Sequence, residues 1–254
     1  MKGLSLPVNT CSFTVGLALL FFSLNTPAET AERYMTGYAY DLKSNTLLYS
    51  ESHQETYSGD TLLSSTVSYR FPDGKTFATK HIDFSAGSFL PNFKLEDSRQ
   101  GYIEGGKKEG DELVLFTRDT TQAALKEKRV KPPAPAVADA GFNLFIKAHW
   151  DELLEGKTVK FNFAVPVRRD YYQFNARKIQ DTQHENRPAV IINVEIASTL
   201  LGLFADPIVL TYDLETHNLV EYRGLSNLPT TDGTKNYLTR IVYPLDKIGT
   251  ATPD

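Results

Sequence analysis

The chain has 254 residues, of which 41% are hydrophobic and 23% are charged. This composition is that of an ordinary globular protein and excludes a disordered or fibrous chain. The formal net charge is −4, which argues against a nucleic-acid-binding protein, because such proteins usually carry a basic patch.

The first 28 residues have the pattern of a secretory signal peptide. Lys2 lies near the N-terminus, a largely apolar run covers residues 13–22, and small residues including Ala28 follow. The run is too short to span a bilayer, which needs about 20 residues. We therefore expect export, cleavage after Ala28, a location in the periplasm or alternatively outside the cell, and no integral membrane span in the mature chain.

The single cysteine lies within this predicted signal peptide. Cys11 precedes the apolar run, and residues 29–254 contain no cysteine. The mature chain therefore has neither a disulfide nor a thiolate metal ligand. It is long enough to form a sizeable hydrophobic core without them.

Alternation with period two dominates residues 32 to about 118 and predicts strands with one buried face. Leu63, Val67 and Phe71 share one such face, and Asp73-Gly74 predicts a hairpin turn. Residues 85–110 are less regular, and Gly105–Gly110 is interpreted as a hairpin turn. Residues about 119–138 are polar and rich in proline, which predicts a connector inside one β-rich domain covering residues 29–254.

The clearest helical pattern covers residues 139–154. Phe142, Phe145 and Leu153 follow the spacing of one helix face, with Trp150 beside them. Asp139 is expected to cap this helix. Strand patterns resume after it, and residues 198–205 form a short apolar segment, either a helix or a flap.

These patterns predict a mainly β fold. We expect a single strongly curved antiparallel sheet or open barrel of about ten strands. The helix over residues 139–154 would cover it, because an amphipathic helix has to bury its apolar face against another element.

No motif for catalysis, a metal or a cofactor is present. The five histidines lack metal-ligand spacing, and neither Ser88 nor Ser226 lies in a Gly-x-Ser-x-Gly sequence. Asp170 follows Arg168 in a region flanked by apolar and aromatic residues, which favours a structural ion pair over a catalytic acid. We assign no catalytic residue, metal ligand or cofactor.

Several short motifs together resemble a family of exported proteobacterial proteins of unknown function. They include Gly37-Tyr-Ala-Tyr-Asp41, Phe163-Ala-Val-Pro166, Asp170-Tyr-Tyr172 and Tyr222-Arg-Gly-Leu-Ser-Asn227. The resemblance implies export and a single domain, and it carries no activity. Residues 189–227 are also loosely similar to periplasmic lipoprotein carriers, which form a curved antiparallel sheet with helices over an apolar cavity.

Three functional interpretations follow from the sequence. The first is a non-enzymatic protein that binds an apolar ligand such as a lipid or acyl chain, with ligand contacts from Trp150, Leu200, Leu201, Leu203 and Phe204. The second is an interaction or scaffolding protein of the cell envelope with a packed core. Its contacts would come from the aromatic N-terminal strands: Tyr38, Tyr40, Tyr49, Tyr57 and Tyr69. The third is a hydrolase that uses Asp170 or nearby carboxylates.

Overall fold

The computed structural model describes residue 3, residues 30–197 and residues 207–249. These residues form a mainly β structure. The strands are β1 (Thr30–Asp41), β2 (Leu47–Ser58), β3 (Thr61–Arg70), β4 (Thr76–Asp83), β5 (Asn92–Asp97), β6 (Tyr102–Glu109), β7 (Glu112–Arg118), β8 (Lys126–Val130), β9 (Ala136–Ala138), β10 (Val159–Val165), β11 (Asp170–His184), β12 (Arg187–Ile196), β13 (Ile208–Asp213), β14 (Leu219–Pro229), β15 (Asn236–Val242) and β16 (Ile248–Gly249). The helices are α1 (Gly141–Ala148) and α2 (Trp150–Leu154), with single 3₁₀ turns at Phe84–Ala86, Pro166–Arg168 and Leu245–Lys247.

All these strands belong to one sheet that is not closed. The strand order is β8-β7-β6-β5-β4-β3-β2-β1-β15-β14-β13-β12-β11-β10-β9, and β16 pairs with β1. Neighbouring strands are antiparallel except β9 and β10, which are parallel. The first strand therefore lies in the middle of the sheet, between β2 and β15.

The connectivity forces the sheet to curl. Its two edge strands, β8 and β9, are joined by residues 131–135 alone, which reach at most about 20 Å. A flat sheet of fifteen strands would be roughly 65 Å wide. The two edges must therefore approach each other. Two contacts between β7–β8 and the start of β11 agree with this: Lys128 pairs with Asp170, and Arg169 donates a hydrogen bond to Thr117.

Two hydrophobic clusters fill the space inside the curl. The first joins the inward faces of β1–β8 to Ala138, Ala164, Leu228 and Tyr243. The second packs α1 and α2 on β9–β13, and its largest members include Phe145, Phe161, Ile192 and Tyr212. Leu144 of α1 lies against the first cluster and Phe142 against the second, so the helix lies between the two halves of the sheet.

The expected number of about ten strands is too low. Residues 92–97 and 102–109, treated as irregular, form β5 and β6, and the predicted connector over 119–138 contains β8 and β9. Gly105 and Gly106 lie within β6 rather than in a turn. Glycine is needed at both positions because the rings of Phe116 and Phe93 pack where the Cβ atoms would be. The hairpin turn lies at Gly110, whose φ is +66°.

The single helix expected over residues 139–154 is divided into two. His149 has φ −110° and ψ 25°, outside the helical range, and separates α1 from α2. Asp139 does not cap α1, because its carboxylate bonds Lys80 instead. The apolar segment expected at 198–205 lies outside the described residues. Neither helix in the described part of the chain has the length and apolarity that a bilayer crossing requires.

Gly141 lets α1 approach the backbone between β4 and β5. A Cβ atom at this position would lie 2.4 Å from the carbonyl oxygen of Phe89, and backbone cannot move aside as a side chain can. We therefore expect Gly141→Ala to lower the free energy of unfolding by about 1–3 kcal/mol, although alanine is the better helix former.

Urea unfolding of the purified protein measures this change. Gly249→Ala is the matched control, because nothing lies within 4 Å of that Cβ position, and it should change stability by less than about 0.5 kcal/mol. Equal stability of both variants would show that α1 does not approach Phe89 this closely.

Candidate functional site

Trp150 lies in the core rather than at a cavity mouth. It is 6% exposed, its ring stacks on His217 at 4.3 Å, and it meets Tyr212 edge-on at 5.7 Å. The other predicted ligand contacts, Leu200, Leu201, Leu203 and Phe204, lie outside the described residues. What the structure shows of Trp150 is a packing role in the second hydrophobic cluster.

Asp170 is half exposed and forms an ion pair with Lys128 at 2.6 Å. The sequence suggests a buried pair between Asp170 and a neighbouring arginine of residues 168–169, whereas the carboxylate is half exposed and its partner is a lysine. The reason is that Asp170 begins β11 near the sheet edge, where the curl brings β8 close. This pair links the edge strand β8 to the start of β11 and leaves the carboxylate in contact with solvent.

A buried ion pair crosses the interior between the two halves of the sheet. Lys80 points inward from β4 and binds Asp139, which follows β9, at 2.9 Å. Burial alone would lower the pKa of Lys80, but the adjacent carboxylate of Asp139 raises it above its ordinary value. Lys80 is therefore protonated, and its pairing with Asp139 offsets the cost of removing this charge from water.

A second buried group links β2 to the chain after β15. Tyr243 donates a hydrogen bond to Glu51 Oε1, which also lies 3.1 Å from His53 Nε2. Tyr243 reaches Glu51 across Gly37, where a Cβ atom would lie 2.5 Å from the tyrosine ring. Burial opposes ionisation of Glu51, but the contacts with His53 and Tyr243 hold its pKa below the ordinary value.

Glu104 is the third buried acidic group of the interior. It points inward from β6 and accepts a hydrogen bond from Tyr102 at 2.7 Å. Burial raises the pKa of Glu104 from 4.5 to about 7. The hydrogen bonds from Tyr102 and Asn227 and the charge of Lys80 lower this pKa, but by less than burial raises it. Since Asn227 belongs to β14, this group also connects the two halves. Perturbed pKa values occur in structural networks as well as active sites, and each acid here has a partner that holds the fold together.

Two cavities bordered by described residues open to the surface. A groove of about 410 Å³ lies on the outward side of β3–β7, and a pocket of about 250 Å³ lies where the β5–β6 and β14–β15 turns meet. The groove is bordered by polar side chains and by Ile82, Phe93 and Phe116, and most of its lining surface is apolar. The pocket is bordered by Asp97, Arg99, Asp119 and Lys235. This polar border of the pocket does not suit an acyl chain, which needs mainly apolar walls.

The aromatic N-terminal strands divide their tyrosines between the two faces of the sheet. Tyr49 and Tyr69 point inward and are 1% and 3% exposed. Tyr38 and Tyr40 lie on the opposite face, because the buried residues Gly37 and Ala39 alternate with them. Of these four tyrosines, only Tyr38 and Tyr40 are placed to contact a partner.

Tyr40 belongs to a surface that we call the outer patch. Pairing of β1, β15 and β14 places Tyr40, Arg240 and Arg223 in one row across the sheet. The next row has Leu42, whose N–H bonds Leu238 O, followed by Leu238 and Leu225. Leu225 is 59% exposed and Leu42 37%. The outer patch consists of these six residues: Tyr40, Leu42, Arg223, Leu225, Leu238 and Arg240.

The two arginines of the outer patch share one carboxylate. Arg223 and Arg240 are direct cross-strand partners, a position in which like charges destabilise a sheet. Glu221 offsets this by accepting hydrogen bonds from the Nε atoms of both. Among the described residues, the terminal nitrogens of both guanidinium groups have no hydrogen-bond acceptor, and the patch keeps an excess positive charge.

Comparison with known proteins identifies no relative of this chain. No family model, no curated protein and no solved structure matches the chain. The resemblance to exported proteobacterial proteins and to lipoprotein carriers therefore stays a prediction. Function has to be inferred from the surface and interior of this molecule alone.

Glu104 makes stability depend on pH. Its folded-state pKa of about 7 exceeds the ordinary 4.5, so the folded protein binds this proton more tightly than the unfolded chain does. The resulting stabilisation is complete below about pH 4.5 and is lost as the pH rises through 7. The loss is on the order of 3 kcal/mol.

Glu104→Gln removes this dependence, because the amide resembles the neutral acid but does not titrate. Urea unfolding from pH 4.5 to 8 should show the unchanged protein losing stability relative to the variant. Asp170→Asn is the control, since its exposed carboxylate has a lowered pKa and is ionised throughout this range. Parallel curves for Glu104→Gln and the unchanged protein would contradict the assignment.

Proposed function

We propose that the protein is exported to the cell envelope and acts there as a non-enzymatic interaction protein through its outer patch. The observation that supports this most is the clustering of leucines, a tyrosine and two arginines on the outward face of β1, β15 and β14. Tyrosine and arginine are enriched among the residues that dominate binding energy in protein interfaces. Contiguous exposed apolar groups rimmed by polar ones are typical of binding surfaces.

The packing of the described interior side chains supports the same interpretation. Side chains of both clusters pack between the sheet and the helices, and the buried acids and Lys80 bond one another or neighbouring polar groups. A protein with a packed interior binds partners through its surface, whereas a lipid carrier needs an apolar cavity for its ligand. This is the second of the three interpretations that the sequence suggests.

Binding of a lipid or acyl chain remains a prediction without a described site. Four of its five predicted contacts fall on residues 200–204, outside the described part of the chain, and the fifth is a core residue. Native mass spectrometry of the purified protein separates the two functions, because a carrier would retain a bound lipid and an interaction protein would not.

Site-specific photo-crosslinking tests the interaction function. A photo-reactive residue at Leu225 should capture one dominant partner in the native host. The same residue at Ile179, which is 50% exposed on β11, should not. Adding Tyr40→Ala to the Leu225 probe should reduce the product at least fivefold, because truncation of a central tyrosine costs more than about 1 kcal/mol in many interfaces.

Equal products from both positions, or a product at Leu225 that is insensitive to Tyr40→Ala, would contradict the proposal. The purified variants should unfold at the same temperature as the unchanged protein. This control ensures that a lost product reports on binding and not on misfolding.

A further inference from the structure

The outer patch identifies the chemistry of its partner, if the function proposed above is correct. We infer that it binds a short extended segment of another protein in which an acidic residue and an apolar residue are separated by one position. The acid would bind Arg223 and Arg240, and the apolar residue would lie on Leu225 and Leu238. The argument has three steps: charge, spacing and size.

The first step is the charge of the arginine pair. Both Nε atoms bond Glu221, Arg240 at 2.8 Å, and this fixes the two guanidinium groups side by side. The terminal N–H groups of a guanidinium form a planar fork that matches a pair of carboxylate or phosphate oxygens. A partner carboxylate at this point would balance the excess positive charge left by two arginines and one glutamate.

The second step is the spacing of the two rows. Arg223 and Leu225 are two residues apart on β14, as are Arg240 and Leu238 on β15. Residues i and i+2 of an extended peptide face the same way and are about 6.7 Å apart. A segment lying along the strands therefore places an acid on the arginine row and an apolar side chain on the leucine row at the same time.

The third step is the size of the patch. Its two rows cross three strands, about 10 Å between outer Cα atoms, and are about 6.7 Å apart. The patch therefore covers far less area than the roughly 800 Å² per partner of a standard interface between folded proteins. A second copy of this chain docking symmetrically would also bring the same patch face to face and would double its excess positive charge in one contact. A short acidic segment fits both the area and the charge.

Chemical-shift mapping by NMR tests this inference with a defined probe. The probe is the peptide acetyl-Ser-Glu-Ser-Leu-Ser-amide, and its control is the same peptide with glutamine in place of glutamate. At millimolar concentration the acidic probe should shift amide signals of Tyr40, Arg223 and Leu225, with a dissociation constant at least fivefold lower than that of the control peptide.

Variants of the protein locate the effect. Arg223→Gln and Arg240→Gln should each weaken binding of the acidic probe at least fivefold. Arg177→Gln should not, although Arg177 lies on β11 in the same cross-strand row and has its own acid, Glu195. Circular dichroism should show that all three variants fold and melt cooperatively, because Arg223→Gln and Arg240→Gln each leave the buried Glu221 bonded to the other arginine.

Three results would overturn the inference. They are equal binding of the acidic and neutral peptides, no shifts at 5 mM probe, and shifts that Arg223→Gln and Arg240→Gln leave unchanged. Cosedimentation with phosphatidylglycerol vesicles that depends on both arginines, without peptide binding, would assign the patch to a lipid headgroup instead. If the peptide probe does not bind while crosslinking at Leu225 still captures a partner, the proposed interaction function is retained. Only the inference that the partner segment is acidic is then rejected.

Discussion

The short link between β8 and β9 determines the architecture of this protein. Five residues join strands that are at opposite ends of the sheet, so the sheet cannot lie flat. Curling turns one face inward along its whole width, and that face has to be filled. The helices enter this space beside apolar side chains. Three polar groups there have partners on the opposite half of the sheet: Lys80 with Asp139, Glu51 with Tyr243, and Glu104 with Asn227.

The polar side chains on the inner and outer faces of the sheet therefore differ in role. Inside, every ionisable side chain of these three groups is committed to holding the halves together, and removing one partner would leave an uncompensated buried charge or dipole. Outside, Arg223 and Arg240 lie opposite each other, and the single carboxylate of Glu221 offsets their repulsion only in part. Such a repulsion on an exposed face is understandable if the face serves binding.

Local patterns predicted the mainly β class, and many of the strands coincide with the alternation that indicated them. β5 and β6 were missed because the tight approach of Phe93 and Phe116 to the two glycines of β6 is a cross-strand feature, which local sequence does not reveal. The ion pair between Lys80 and Asp139 joins residues 59 positions apart, so Asp139 was taken for a helix cap. The outer patch was partly visible: Gly37 and Ala39 alternate with Tyr38 and Tyr40, and small residues on one face mark that face as crowded.

The position of β1 has a consequence for how the chain acquires its structure. Its partners are β2, the next strand to be synthesised, and β15, made some two hundred residues later. The middle of the sheet can therefore pair only once β15 has been made, and closing it requires contacts of very long sequence separation, which form slowly.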